Sequence, residues 1–393
     1  MGGRDRPGLL VLAYLAFVSL GLPDAVLGLA WPSIREAFSL PQAALGAVLA
    51  TAATAYFFSG LLAGRFILAV GIGGVLAAST GLVTLGLAGY ASAPVFALLL
   101  AAACFIGFGS GAVDAGLNTY AAQHFGARHM TWLHAAYSTG AALGPVLMTA
   151  LLARGAGWRV GYAAIGAVLG ALAVTFAVTR GRWNDDGPAS PASESEAEKG
   201  PRPTAWATFR RPRVLLQIAL FFFYAGVEVT AGQWSYTVLT EARGLPPTVA
   251  GSWVSLYWAS LLAGRVLLGF IVERVGSVRL LRLSAGAAVA GALLVALPQA
   301  PAALGLAVLG FALAPIFPGL MTETPRRMGV DAAAHAVGFQ VSAATVGVAV
   351  VPSVAGLLGE WFGLAAIPPL VVLCAVVLLV LHEVLVARAD RST

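Results

Sequence analysis

Charge is what this chain has least of. Asp, Glu, Lys and Arg together make up 10% of its 393 residues, whereas 59% are hydrophobic, and the mean hydropathy is +0.87. That is too little polar side chain to cover a soluble globule of this length, so the composition requires a polytopic membrane protein. Cysteine is scarcer still, at two residues. Cys104 and Cys374 both fall inside apolar runs and read as packing residues rather than a disulfide or metal site. No Gly-x-x-x-x-Gly-Lys-Ser/Thr phosphate loop and no metal-spaced Cys/His set occurs. ATP-driven pumping and metal catalysis are therefore not expected, no cofactor is called for, and the chain does not read as an enzyme.

What is abundant is apolar length. Runs of roughly 20 apolar residues, the length of one helical crossing, number twelve: 8–31, 43–67, 70–91, 94–121, 130–153, 158–180, 213–240, 247–271, 278–299, 302–324, 332–358 and 362–387. The first follows Arg4 and Arg6 as a signal peptide would, but it is too long, contains Asp24 and is followed by further spans, so it is read as a retained helix. Forty-seven glycines suit close helix packing in lipid, where no hydrophobic drive brings helices together.

Basic residues set the expected orientation. With both termini cytoplasmic, 19 of the 23 Lys and Arg residues fall on the inner side, and only Arg35, Arg154, Arg159 and Arg243 lie outside. The net charge of +6 is then topological, and nucleic acid is not an expected partner. The lipid bilayer is. One long hydrophilic stretch, rich in Ser, Pro and Glu, divides the chain into an N-terminal six-helix bundle (1–180), a cytoplasmic linker (181–212) and a C-terminal six-helix bundle (213–393). Leu61-Leu62-Ala63-Gly64-Arg65 of the second span recurs as Leu261-Leu262-Ala263-Gly264-Arg265 of the eighth, and Gly107-Phe108 of the fourth has a counterpart in Gly310-Phe311 of the tenth. The expected fold is all-α, with two pseudo-symmetric six-helix halves and a solute site between them.

On these residues the chain resembles the major facilitator superfamily over nearly its full length. Within it, the chain is similar to the fucose permease and sodium-dependent glucose transporter group. The fourth-span Asp114-Ala115-Gly116-Leu117-Asn118 carries that likeness, together with Leu133-His134 and Gly140-Ala141-Ala142-Leu143-Gly144-Pro145 in the fifth span, Tyr224-Ala225-Gly226-Val227-Glu228 in the seventh and Ala314-Pro315-Ile316-Phe317-Pro318 in the tenth. The resemblance implies a cation-coupled sugar symporter that works by alternating access as a monomer in the cell membrane. The chain departs from the superfamily between spans two and three, where Ala69 to Gly74 is uncharged, whereas Glu273, Arg274 and Arg279 remain in the second half. Gating is therefore expected from these three residues, with Arg65 and Arg265 supplying charge from the helix ends.

Ionisable residues inside apolar helices are the candidate site, since each is costly unless it faces a partner, a cavity or a proton. Asp114 is the leading coupling group, for a proton or for sodium. Asn118, one helical turn on, shares its face and can bracket a solute hydroxyl by donating and accepting. Asp24 follows the helix-breaking Pro23, and its position resembles that of a cavity aspartate in the fucose permease. Glu228, in the first helix of the second half, is expected in the cavity or in an ion pair with Arg265. His134 is a candidate proton relay, because imidazole titrates near neutrality. For a sugar, whose C–H face stacks on rings while its hydroxyls seek amides, the binding candidates are Gln233, Trp234, Trp253, Tyr257, Trp258 and Gln340. Gly140 to Pro145 also resembles an antiporter signature, although Val146-Leu147-Met148 follows in place of paired glycines. Three readings stay open: solute symport, proton-driven efflux, and a non-transporting membrane sensor or scaffold.

Overall fold

A computed structural model of the chain describes residues 7–125, 127–183 and 204–390. Secondary structure among the described residues is entirely helical: α1 (Pro7–Asp24), α2 (Leu27–Ala37), α3 (Ala44–Ser92), α4 (Phe96–His124), α5 (Ala127–Ala153), α6 (Gly157–Thr179), α7 (Ala205–Phe209), α8 (Pro212–Thr237), α9 (Pro247–Val275), α10 (Ser277–Ala296), α11 (Ala302–Leu313), α12 (Ile316–Met328), α13 (Val330–Phe362) and α14 (Ile367–Asp390), with short turns between some of them. Among the described residues, ten helical segments are long and apolar enough to cross a membrane. One of these, α3, is 49 residues long and breaks at Gly71, whose φ of 72° and ψ of 167° suit glycine alone. That break makes α3 two rods. Twelve spans are expected from the sequence; α9, 29 residues long, corresponds to the eighth of them and falls outside the ten segments.

Two of the rods are bent where the sequence supplies a reason. Pro23 ends α1, and α2 resumes at Leu27. Pro315 separates α11 from α12. Proline has no amide hydrogen to give its helix and crowds the preceding turn, so the helix yields there. The outward surface is apolar, as a lipid-facing surface must be: Val178 is 80% exposed, and Leu283, Leu373 and Val380 are exposed as well.

Helices α1 to α6 pack among themselves, as do α8 to α14, and the two groups meet mainly along α5 against α9 and α3 against α13, with α2 against α8. Both margins of the segment 181–212 are structured. Trp183 is buried against Tyr120 and Phe176 of the first group, and Phe209 of α7 packs edge-on against Phe339 of the second. Residues 184–203 lie outside the described set. The repeated glycines of the fourth and tenth spans do the same work in each half. A side chain at Gly107 would run into the Ala52 backbone of α3, and one at Gly310 into the Tyr257 backbone of α9, so each marks a close helix crossing.

Away from the termini the two groups are latched together. Arg35 of α2 pairs with Glu241 at 3.0 Å. The Gln42 side chain donates to the same carboxylate at 2.9 Å, and its backbone N–H donates to Glu360 of α13 at 2.6 Å. Within the second group, Trp234 Nε1 of α8 donates to the Pro352 carbonyl of α13 at 2.9 Å, which holds α13 in place beside the latch.

Candidate functional site

Between the halves lies a run of polar groups that apolar helices would otherwise exclude. Asp114 on α4 accepts from the Tyr56 hydroxyl of α3 at 2.6 Å and from Asn118 Nδ2 at 2.9 Å. Spacing explains the second bond, because residues four apart stack on one helix face. The same Asn118 amide also donates to the Asp114 backbone carbonyl at 3.0 Å, so it is turned inward on its own helix.

Asp24 is the last residue of α1, next to Pro23 where the helix ends, and it is exposed. Tyr137 of α5 donates to its carboxylate at 2.8 Å. These two helices approach closely because Gly21, Gly140 and Gly144 face the partner backbone: a side chain at Gly140 would strike the Val18 carbonyl, and one at Gly144 the Leu22 carbonyl. The stretch Gly140 to Pro145 is thus the crossing that sets Tyr137 against Asp24. His134, one turn earlier on α5, is exposed, meets Phe17 edge-on, and interacts through charge with Asp114 and Arg265.

The second half contributes Glu228 and Arg265. Arg265 Nη2 lies 3.7 Å from the Glu228 carboxylate, with side chains only 17% and 13% exposed. The other carboxylate oxygen accepts from Tyr224, and the Glu228 backbone carbonyl accepts from Tyr257 at 2.8 Å. Arg265 also reaches across to the first half, where Nη1 donates to Ser138 Oγ at 2.6 Å, and its guanidinium lies 6.0 Å from the Tyr137 ring centre. One cation therefore touches the carboxylate of one half and the residue beside the Asp24 tyrosine of the other. Asp24 and His134 are exposed, whereas Arg35, Gln42 and Glu241 latch the halves at the end away from the termini.

Of the remaining sequence candidates, Gln233 and Tyr257 support the cluster through backbone carbonyls and the other described ones lie away from it. Gln233 is buried and joins the halves by donating to the Asp24 backbone carbonyl at 2.7 Å. Trp234, Tyr257 and Trp258 are buried in the main core, and Trp253 packs partly buried against it. Gln340 is wholly buried in a trio with Gln217 and Thr324 inside the second half. Arg65 is exposed and apart from the cluster. Arg274 and Arg279 are exposed beside the Gly276 turn, and the Glu273 side chain lies outside the described set, as do those of Arg4, Arg6, Arg128, Lys199, Arg202 and Arg391. Arg265 stands with Glu228 rather than with these helix-end arginines. Tyr56, Tyr137 and Ser138 were not distinguishable in the sequence, since tyrosine and serine are ordinary inside apolar helices.

The comparisons with known proteins agree on the architecture. The family model described as Major Facilitator Superfamily matches residues 13–352. The chain is similar to the nucleoside transporter NupG, at 15% identity over 96% of this chain and 97% of that one, with a TM-score of 0.74. It is similar to a bacterial homologue of the human lysosomal transporter Spinster in an inward-facing, unoccupied conformation, at 16% identity over 99% and 98%, with a TM-score of 0.74. It is also similar to FucP in the outward conformation, at 16% identity over 96% and 98%, with a TM-score of 0.63. A short match of 31% identity over 72 residues links it to bypass of stop codon protein 6 of Saccharomyces cerevisiae, covering 18% of this chain and 14% of that protein. The chain belongs to the Major Facilitator Superfamily and is a multi-pass membrane transporter rather than an enzyme.

Proposed function

We propose that this transporter moves a sugar or a similar hydroxyl-rich solute by alternating access of its two halves, coupled to protons, as a monomer with both termini cytoplasmic in the cell membrane. The observation that carries the reading is the double grip of Arg265 on Glu228 of its own half and Ser138 of the other. Next to Ser138 stands Tyr137, which donates to Asp24. A charged Asp24 accepts that hydroxyl bond. A protonated one no longer needs it, and Tyr137 is freed to turn beside the Arg265 contact. Loading of a proton, or of a solute hydroxyl in its place, thereby bears on the contact between the halves. Asp114 forms a second such carboxylate, with Tyr56 and Asn118 as its donors and His134 as a neighbour through which a proton can pass.

Sugars and nucleosides share the chemistry this cavity offers: hydroxyls for carboxylates and amides, and an apolar face for rings. Two solved neighbours are described as a nucleoside transporter and a fucose:proton symporter, which supports testing both classes. With the termini cytoplasmic, the latched end faces outward and the cavity opens inward.

The test is transport by the purified chain in proteoliposomes, first by counterflow against a panel of sugars and nucleosides. Exchange of one of them, followed by its accumulation when an inward proton gradient is imposed, is the expected result. Accumulation under a sodium gradient alone would move the coupling to sodium, extrusion against the solute gradient would favour efflux, and no exchange of any panel member would overturn the solute class. Asp114→Asn should still exchange solute in counterflow but lose gradient-driven accumulation. Full accumulation by that variant would remove Asp114 from coupling.

A further inference from the structure

At the terminal end of the second half, away from the solute cavity, arginines converge from three helices. Arg211 precedes α8, Arg213 lies in its first turn, Arg327 is in the last turn of α12, and Arg388 is in the last turn of α14. Together with Pro212 and Met328 they line a cleft of about 530 Å³. Two of them hold its walls together: Arg211 Nη1 donates to the Met328 carbonyl at 3.3 Å, and Arg213 Nη2 to the Arg388 carbonyl at 2.9 Å. Cations at helix C-termini are favoured by the orphan carbonyls and the helix dipole, which accounts for those two contacts.

Arg327 is different. Its side chain is only 7% exposed, Glu323 lies 4.0 Å from its Nε, and both of its terminal nitrogens are buried without a hydrogen-bond partner among the described residues. Glu323 is also engaged by Arg326 and Ser277. His382, buried on α14 and in electrostatic reach of Arg327, likewise has an unpartnered Nε2. Its neighbour Glu383 is taken by Arg282 at 2.7 Å. Both of these acids are thus already shared, while four arginines line one cleft. The side chains of Asp331 and Asp390 lie outside the described set.

A guanidinium with two adjacent N–H groups to spare is a fork that fits two oxygens of one tetrahedral anion, and several such forks around one cleft select for higher charge. Basic pockets between helix ends at the cytoplasmic face suit phosphate headgroups in the same way. We propose that this cleft binds a phosphate group, carried by an anionic phospholipid or by a free phosphorylated solute, at a site separate from the transport cavity. Arg327 and Arg211 would grip it, with Arg388 at the open side.

The test uses the full chain in detergent and follows its thermal unfolding. Inorganic phosphate is compared with chloride at equal ionic strength, and phosphatidylglycerol with phosphatidylcholine in mixed micelles. The expected result is a saturable rise in midpoint with one or both anions, and an apparent affinity weakened at least tenfold by Arg327→Gln. Because that side chain is buried and its loss can impair folding, the exposed Arg388→Gln and Arg211→Gln are measured alongside, with a smaller loss expected. Stabilisation by phosphatidylglycerol alone identifies a lipid headgroup, and stabilisation by inorganic phosphate as well extends the site to free phosphorylated solutes. No difference between anion and control, or equal stabilisation of wild type and the folded arginine variants, would overturn the proposal.

Discussion

Glu228 and Arg265 form a pair that neither residue can leave without cost, because both are largely withdrawn from water. Removing one charge strands the other, and such truncations cost about 3–5 kcal/mol, whereas removing both is often close to neutral. Arg265→Gln and Glu228→Gln should each lower the unfolding midpoint sharply, and the double variant should recover most of the loss. A double-mutant cycle on thermal unfolding measures this. Additive single losses would mean that the two groups are not coupled. Arg265→Lys should recover stability only partly, since a single ammonium cannot span Ser138 and Glu228 as a planar fork does. The acids of this cluster were legible in the sequence because each interrupts an apolar run, which is an expensive and hence informative event. The tyrosines and Ser138 that hold them were not. Trp234, Tyr257, Trp258 and Gln340 show the opposite difficulty: a polar tip in a helix looks the same whether it points to a cavity or to a neighbouring carbonyl. Here Trp234 meets the Pro352 carbonyl and Tyr257 that of Glu228.

Helix α5 carries Tyr137 and Ser138 and must lie close enough to α1 for Tyr137 to reach Asp24. That closeness rests on small residues, since a side chain at Gly144 would meet the Leu22 carbonyl and the Val26 side chain. Gly144→Val should therefore force the helices apart and cost about 1–3 kcal/mol, the usual range for overpacking a well-filled contact. Gly170→Val, which meets only a Thr84 methyl carbon at 3.3 Å, should cost clearly less. Thermal unfolding of both variants decides it, and equal losses would sink the crossing argument. The helices themselves were readable from apolar length, and the bend after α1 from Pro23. The repeat was readable too, yet it misleads about roles. Arg65 and Arg265 occupy matching motifs, but Arg265 has Glu228 beside it, whereas position 28 at the same offset is glycine and Arg65 stays exposed. Identical motifs therefore placed one arginine in the site and left the other at the surface, a distinction that depends on which residue the neighbouring helix presents.

At the scale of the whole molecule, the alternating access proposed above makes this structure one of two states, and the contacts that would select it lie at the end away from the termini. The Arg35–Glu241 pair is partly exposed, at 31% and 28% of the side chains, so it contributes on the order of 0.2–1 kcal/mol. Gln42 adds its two bonds, to Glu241 and to Glu360. An equilibrium between states needs only a small bias, since about 1.4 kcal/mol changes a population tenfold. Glu241→Gln should thus shift the molecule roughly twofold to fivefold toward the state opened at the latched end, and adding Glu360→Gln should shift it further. Spin labels at Glu36→Cys and Thr248→Cys, on exposed positions of opposite halves, report the separation once the exposed Cys104 is replaced by serine. The charge exchange Arg35→Glu with Glu241→Arg should restore the short distance that each reversal alone abolishes. If neither neutralisation changes the distance distribution, the latch does not select the state, and the contacts along α5 and α9 with those along α3 and α13 carry that role instead.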